Sequence, residues 1–201
     1  MVKVAVVVGS LRRESINRKL ALALQKLGRK NGLELSLVGL GDLPHYNHDL
    51  WDKPPAAVTR LKRDVEAADA VIFVTPEYNR TIPGIMKDAV DWASRPYGKN
   101  SWSGKPAAII GATTGKVGTA VAQSHLRTLL LVLDLTVMGQ PEAYIQLADD
   151  TIAADHTVAD ESMRTFLEKW LTSFADWIGK VAGIVPEPGQ PAGDSVADAA
   201  E

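Results

Sequence analysis

Two short runs, VKVAVVV at residues 2–8 and AVIFVT at 70–75, are apolar and mostly β-branched, with almost no polar residue interrupting them. A strand with one face in water alternates apolar and polar residues, so runs without alternation belong to strands covered on both faces. Such strands sit in the middle of a parallel sheet with helices packed above and below. LELSLVGL (33–40) alternates and reads as a strand nearer an edge, while PAAIIGA (106–112) and LTVMG (135–139) bring the set to five.

The intervening segments have helical spacing. Ile16, Leu20, Ala23, Leu24 and Leu27 share one face; Ser15 is placed to cap the start, Lys26, Arg29 and Lys30 suit the negative end, and Asn31–Gly32 stops the helix. Further helices are predicted around 55–67, 84–94, 118–133 and 159–182. The last carries a stripe of Met163, Phe166, Leu167, Trp170, Leu171, Phe174, Ile178 and Val181, which reads as core. Strands and helices alternate throughout, which predicts an α/β fold with a doubly wound five-stranded parallel sheet. In such folds ligands bind outside the carboxyl ends of the strands.

With 201 residues, 46% of them hydrophobic, the chain can bury one core, expected over 1–182. From Gly183 to Glu201 the sequence is rich in Pro, Gly, Ala and acid and reads as a disordered tail. A formal net charge of −2 gives no general attraction for nucleic acid or acidic membranes and points to small-molecule partners. There is no cysteine, which excludes disulfides, thiolate nucleophiles and thiolate metal sites. Electron transfer in this chain therefore requires a bound cofactor. No run approaches the roughly 18 apolar residues of a membrane span, and no signal-type cleavage site follows the N-terminus, so a cytoplasmic protein is expected.

Three strand ends carry chemistry. The first, GSLRRESIN (9–17), packs hydroxyls, guanidinia and an amide around the start of a helix, whose free N–H groups and positive pole favour an anion. Ser10, Ser15 and Asn17 add neutral donors and Arg12 a planar charged fork. The loop is neither GxGxxG nor GxxxxGK[ST] and suits one terminal phosphate. The second, TPEYNRTIPG (75–84), is a loop stiffened by two prolines that exposes Glu77, Tyr78 and Asn79, able to present amides and an aromatic side chain to a flat ring. The third, GATTGKVGT (111–119), offers Gly115 and Gly118 for close backbone approach and Thr113 and Thr114 as donors. It falls one residue short of a nucleotide-triphosphate loop.

His45, His48 and Asp49 in HYNHD have a metal-like look but lack the four ligands of a structural zinc site, so no metal is expected. His125 reads as a structural helix residue. HLRTLLLVLDL (125–135) is apolar around most of its circumference, as a helix packing against another subunit would be.

GSLRRESIN, PEYNRTIPGIMKDAVDW and GATTGKVGT together resemble the three cofactor loops of the NADPH-dependent FMN reductase family, and within it the bacterial chromate and quinone reductases. The resemblance runs from about residue 3 to 180. It implies a flavodoxin-like sheet of order 2-1-3-4-5 and bound FMN. Ser10, Arg12, Ser15, Ile16 and Asn17 would surround the phosphate, Pro76, Glu77, Tyr78 and Asn79 would line the isoalloxazine ring, and Thr113, Thr114, Gly115 and Gly118 would border its other edge. It further implies NADPH or NADH as electron donor, quinones, flavins or chromate as acceptors, no catalytic side chain, and a homodimer or homotetramer. Thr119 and Arg80 stand where the family's loops differ or vary. A non-enzymatic electron carrier of the flavodoxin class, or a flavin-binding regulatory protein, is the alternative expectation.

Overall fold

The computed structural model describes residues 1–148, 151–184 and 186–188. The strands are β1 (Val2–Val8), β2 (Leu33–Leu37), β3 (Ala70–Val74), β4 (Pro106–Thr113), β5 (Thr136–Val137) and β6 (Tyr144–Gln146). The helices are α1 (Ile16–Gly28), α2 (Ala56–Glu66), α3 (Gly84–Ala93), α4 (Ala120–Val132) and α5 (Glu161–Ala182). All pairings in the sheet are parallel and the order is β2-β1-β3-β4-β5. This is the flavodoxin-like order.

The lack of alternation in β1 and β3 has a direct cause. Val2, Val4, Val6 and Val8 point into a layer with Leu20 and Leu24 of α1 and Trp170 and Phe174 of α5. Ala5 and Val7, with Val71 and Phe73 of β3, point the other way onto Val58 and Leu61 of α2 and Met86 and Trp92 of α3. Each face meets a helix layer, so both parities of the strand are apolar. Burying a side chain such as Leu20 or Phe73 fully contributes about 1.5–3 kcal/mol, which is why a helix layer forms on each side.

The helix boundaries follow local chemistry. Ser15 Oγ accepts from Arg18 N at 3.1 Å and starts α1. Gly32, in the left-handed region at φ 70°, closes the turn after α1. Asp160 Oδ1 accepts from Met163 N at 2.6 Å to start α5, and Gly183 at φ 69° ends it.

The fifth strand position is the departure from the sequence reading. One strand over 135–139 is expected there; two short ones share it. β5 pairs with Pro106 and Ala107 at the foot of β4, and β6 pairs with Gly111, Ala112 and Thr113 at its head. The chain leaves the sheet between them and returns higher up, placing Tyr144–Gln146 beside the site. The tail expected over 183–201 lies outside the described residues except for 183, 184 and 186–188. Of these, the Glu187 backbone sits where a side chain on Gly32 would go.

Candidate functional site

The carboxyl ends of β1, β3 and β4 are adjacent in the sheet, so the three loops expected from the sequence converge. At the first, Gly9 N still donates to Val74 O at 2.9 Å, holding the loop's base in the sheet. Gly9 is buried, and a Cβ there would meet Met86 and Pro76. Ser15 uses its oxygen to cap α1, which leaves its hydroxyl hydrogen to donate outward. The Ile16 and Asn17 N–H groups, the first of α1, have no acceptor among the described residues. The Arg12 guanidinium likewise has no partner among them and stands exposed at the rim.

Asn17 does something the sequence did not announce. Its Nδ2 donates to Ala112 O at 2.9 Å and its Oδ1 accepts from Ala112 N at 2.9 Å. β3 has by then turned away, its last bond to β4 being Thr75 N to Ile110 O. The buried Asn17 amide thus takes the place of a strand for the last part of β4 and ties the first loop to the third. An unpaired buried main-chain group costs about 1–3 kcal/mol, so the amide does structural work before it meets any ligand.

The second loop is a tight reverse turn. Tyr78 and Thr81 exchange main-chain hydrogen bonds of 2.9 and 3.0 Å. Asn79 and Arg80 between them have φ of 50° and 64°. Positive φ at both central positions is the mirror-image turn that Asn adopts readily and Arg does not. Glu77 explains why it persists. Its Oε2 accepts from Val121 N at 3.0 Å and Ala122 N at 3.1 Å, capping α4, whose own Thr119 provides no side-chain cap. Its Oε1 accepts from Arg80 Nη1 at 3.2 Å. Thr81 Oγ1 lies 3.0 Å from His125 Nδ1, a second tie to α4. Glu77 and His125, read from sequence as ring-lining and as a helix residue, are the clamps of this turn.

At the third loop Gly111 is buried under Thr119 and the Thr75 carbonyl, and a Cβ would collide with both. Gly118 has φ 64° and lies against the Tyr144 backbone. Burial, reinforced by the Glu142 carboxylate, raises the Tyr144 phenol above its ordinary pKa.

The loops enclose a cleft of about 150 Å³. Ser10, Arg12, Ser15, Ile16 and Asn17 line it from the first loop, Pro76, Glu77 and Tyr78 from the second, and Ala112, Thr113 and Thr114 from the third. Asn79, Gly115 and Gly118 lie outside that lining: Asn79 is at the turn's exposed tip and Gly118 is taken up by Tyr144. Of the residues lining the cleft, Ala112 alone was not among those expected from the sequence. The buried Gly111 inside a strand pattern was the available signal, since a glycine there marks close backbone approach. His45 Nδ1 pairs with Asp88 Oδ2 at 2.9 Å, and His48 Nδ1 lies 3.5 Å from Tyr46 Oη.

Known proteins share this sequence and fold. Residues 2–150 match the family described as NADPH-dependent FMN reductase. The chain belongs to that family. It is 44% identical over 176 residues to a 2-hydroxy-1,4-benzoquinone reductase of Burkholderia sp, an alignment covering 88% of this chain and 96% of the relative. A flavoenzyme NAD(P)H:(acceptor) oxidoreductase from Paracoccus denitrificans superposes with a TM-score of 0.86 at 51% identity, covering 90% of this chain and 99% of that one. A flavodoxin variant from Pseudomonas aeruginosa, at 22% identity and a TM-score of 0.55, covers 88% of this chain and 98% of its own and shares the fold. No helix among the described residues is long and apolar enough to cross a membrane.

Proposed function

We propose that the three-loop cleft binds FMN and that the protein passes electrons from reduced nicotinamide to quinones, with free flavins or chromate as further acceptors. Family membership makes the chain an NAD(P)H-dependent reductase. The observation that carries the finer reading is the cleft: hydroxyls, a free guanidinium and the N–H groups that open α1 gather at one end of it. A monophosphate fits that donor set. The other end is formed by the Pro76–Tyr78 and Thr113–Thr114 segments, suited to a planar ring.

Bound there, FMN would supply the two-electron redox chemistry that links the nicotinamide to the acceptor, which the chain's own side chains lack. The chain's own part is to hold and to aim. Ser10, Arg12 and Ser15 would anchor the phosphate. The turn clamped by Glu77 and Thr81 keeps the Glu77 main-chain N–H available at the cleft, where a fixed donor would favour the negative charge that develops on reduction. Tyr78, 47% exposed, stands at the mouth. No side chain needs to give up or take a proton.

A homodimer or homotetramer accompanies this reading, supported by Leu131 and Val132, which are 75% and 81% exposed at the end of α4. A cytoplasmic setting accompanies it too, since a reduced nicotinamide pool is the electron source. The test is anaerobic mixing of the FMN-loaded protein with NADH and with NADPH. The flavin band is expected to bleach and to return on addition of benzoquinone; a band that persists with both nucleotides rejects the reading.

A further inference from the structure

Arg12, Arg13 and Arg18 surround a second concavity, of about 520 Å³, at the carboxyl ends of β1 and β2 beside the cleft. None of the three guanidinia has a hydrogen-bond or ion-pair partner among the described residues. Acids close in sequence are engaged elsewhere: Glu14 faces Lys19 at 3.6 Å, and Asp42 accepts from Arg60 at 2.5 and 3.2 Å. No carboxylate among the described residues lines the concavity. Three guanidinia around one hollow without a counter-charge repel each other, and a bound anion relieves that repulsion.

The hollow is within the size range of small-ligand pockets and exceeds what a single inorganic anion fills. Each guanidinium is a planar fork that pairs with one anionic group, so three of them suit a molecule carrying two or three such groups. Leu11, 57% exposed, and Leu37 add apolar wall between the charges, which a carbon frame can cover. A small polycarboxylate has both features. Ser10 and Arg12 line this hollow and the cleft alike. Arg12 therefore stands between two anion sites and cannot turn its fork fully to both.

Resting on the reading of the cleft as an FMN site, we propose that the hollow is a regulatory site for a small polycarboxylate, whose binding draws Arg12 away from the FMN phosphate and loosens the cofactor. Arg13 and Arg18 belong to the hollow alone and hold the ligand there. The two anions share one guanidinium and repel each other, so the coupling between them is negative. It is also reciprocal: bound FMN weakens the polycarboxylate by the factor by which the polycarboxylate weakens FMN.

Fluorescence titration of the ligand-free protein with FMN at increasing citrate, with ionic strength held constant by sodium chloride, tests this. The dissociation constant for FMN is expected to rise and then level off at about tenfold, the plateau being the mark of two linked sites. A simple competitor for the phosphate cradle would raise it without limit. Arg13→Ala/Arg18→Ala is expected to bind FMN and to lose the citrate effect, since neither residue lines the cleft. The single variants R13A and R18A replace the double variant if it does not fold. Calorimetry is expected to show citrate binding more weakly to the FMN-loaded protein than to the ligand-free one by the same factor. Pyrophosphate, which has charge but no carbon frame, is expected to act only at higher concentration; a stronger effect than that of citrate overturns the carboxylate assignment. An FMN affinity indifferent to citrate, a rise without a plateau, or an effect kept in the variants overturns the site. A protein that binds no FMN at all defeats the cofactor reading instead, so the two failures are told apart.

Discussion

The loops after β1 and β3 leave neighbouring strands and meet in one cleft, yet they are built in opposite ways. The second loop is closed on itself: Tyr78 and Thr81 bond across the turn, Glu77 caps α4, Arg80 pairs with Glu77, and His125 meets Thr81. The first loop keeps its charges open, with Arg12 and Arg13 unpaired among the described residues and two N–H groups of α1 free. A surface for a planar ring gains from being rigid beforehand, because no charge has to be exchanged when the ring arrives. A cradle for an anion gains from unpaired donors, since any internal partner of Arg12 would have to be broken on binding. Asn17 is the exception in the first loop, committed to Ala112 and joining the two styles of construction.

The contrast can be broken most severely at that joint. Asn17→Ala leaves both main-chain groups of Ala112 unpaired, and denaturant unfolding is expected to show a loss of about 3 kcal/mol, with FMN retention lost alongside. Arg12→Ala separates function from stability: fluorescence titration is expected to show FMN bound about ten- to a hundredfold more weakly. The unfolding free energy of the ligand-free protein should meanwhile stay within about 0.5 kcal/mol of the parent. A large loss of stability in that variant would mean the first loop is not held open as described.

Glu77→Ala reverses the pattern. Removal of the α4 cap is expected to cost about 1–2 kcal/mol of stability in the ligand-free protein, and faster amide hydrogen exchange at Val121 and Ala122 is the local signature. Unchanged exchange at those two positions would show that the clamp is dispensable. Thr81→Val, which deletes only the contact with His125, is expected to cost about 0.5 kcal/mol, read by thermal unfolding. An effect as large as that of Glu77→Ala would move the weight of the clamp from the carboxylate to the histidine.

Much of the molecule was legible because it rests on local periodicity. The nearly uninterrupted apolar runs of β1 and β3 read as strands between two helix layers, the stripe on α5 reads as core, and Ser15 and Gly32 marked where α1 and its following turn begin and end. The positions of the three loops follow from the strand ends alone. The resemblance of their residues to one reductase family supplied the sheet order and the cofactor. The split of the fifth strand position was not legible: Thr136–Val137 and Tyr144–Gln146 are short, and their pairing depends on which part of β4 each can reach.

The chain by itself determined which segments are strands and helices, which faces are buried and where donors cluster, because those depend on residues within a few positions of one another. Tertiary structure alone decided that the Asn17 amide serves a strand 95 residues away and that Glu77 caps a helix 44 residues on. It alone decided, too, that Arg12, Arg13 and Arg18 line one hollow. Such contacts are set by how distant segments are brought together, and a polar side chain offers the same donors and acceptors whichever partner the fold delivers to it.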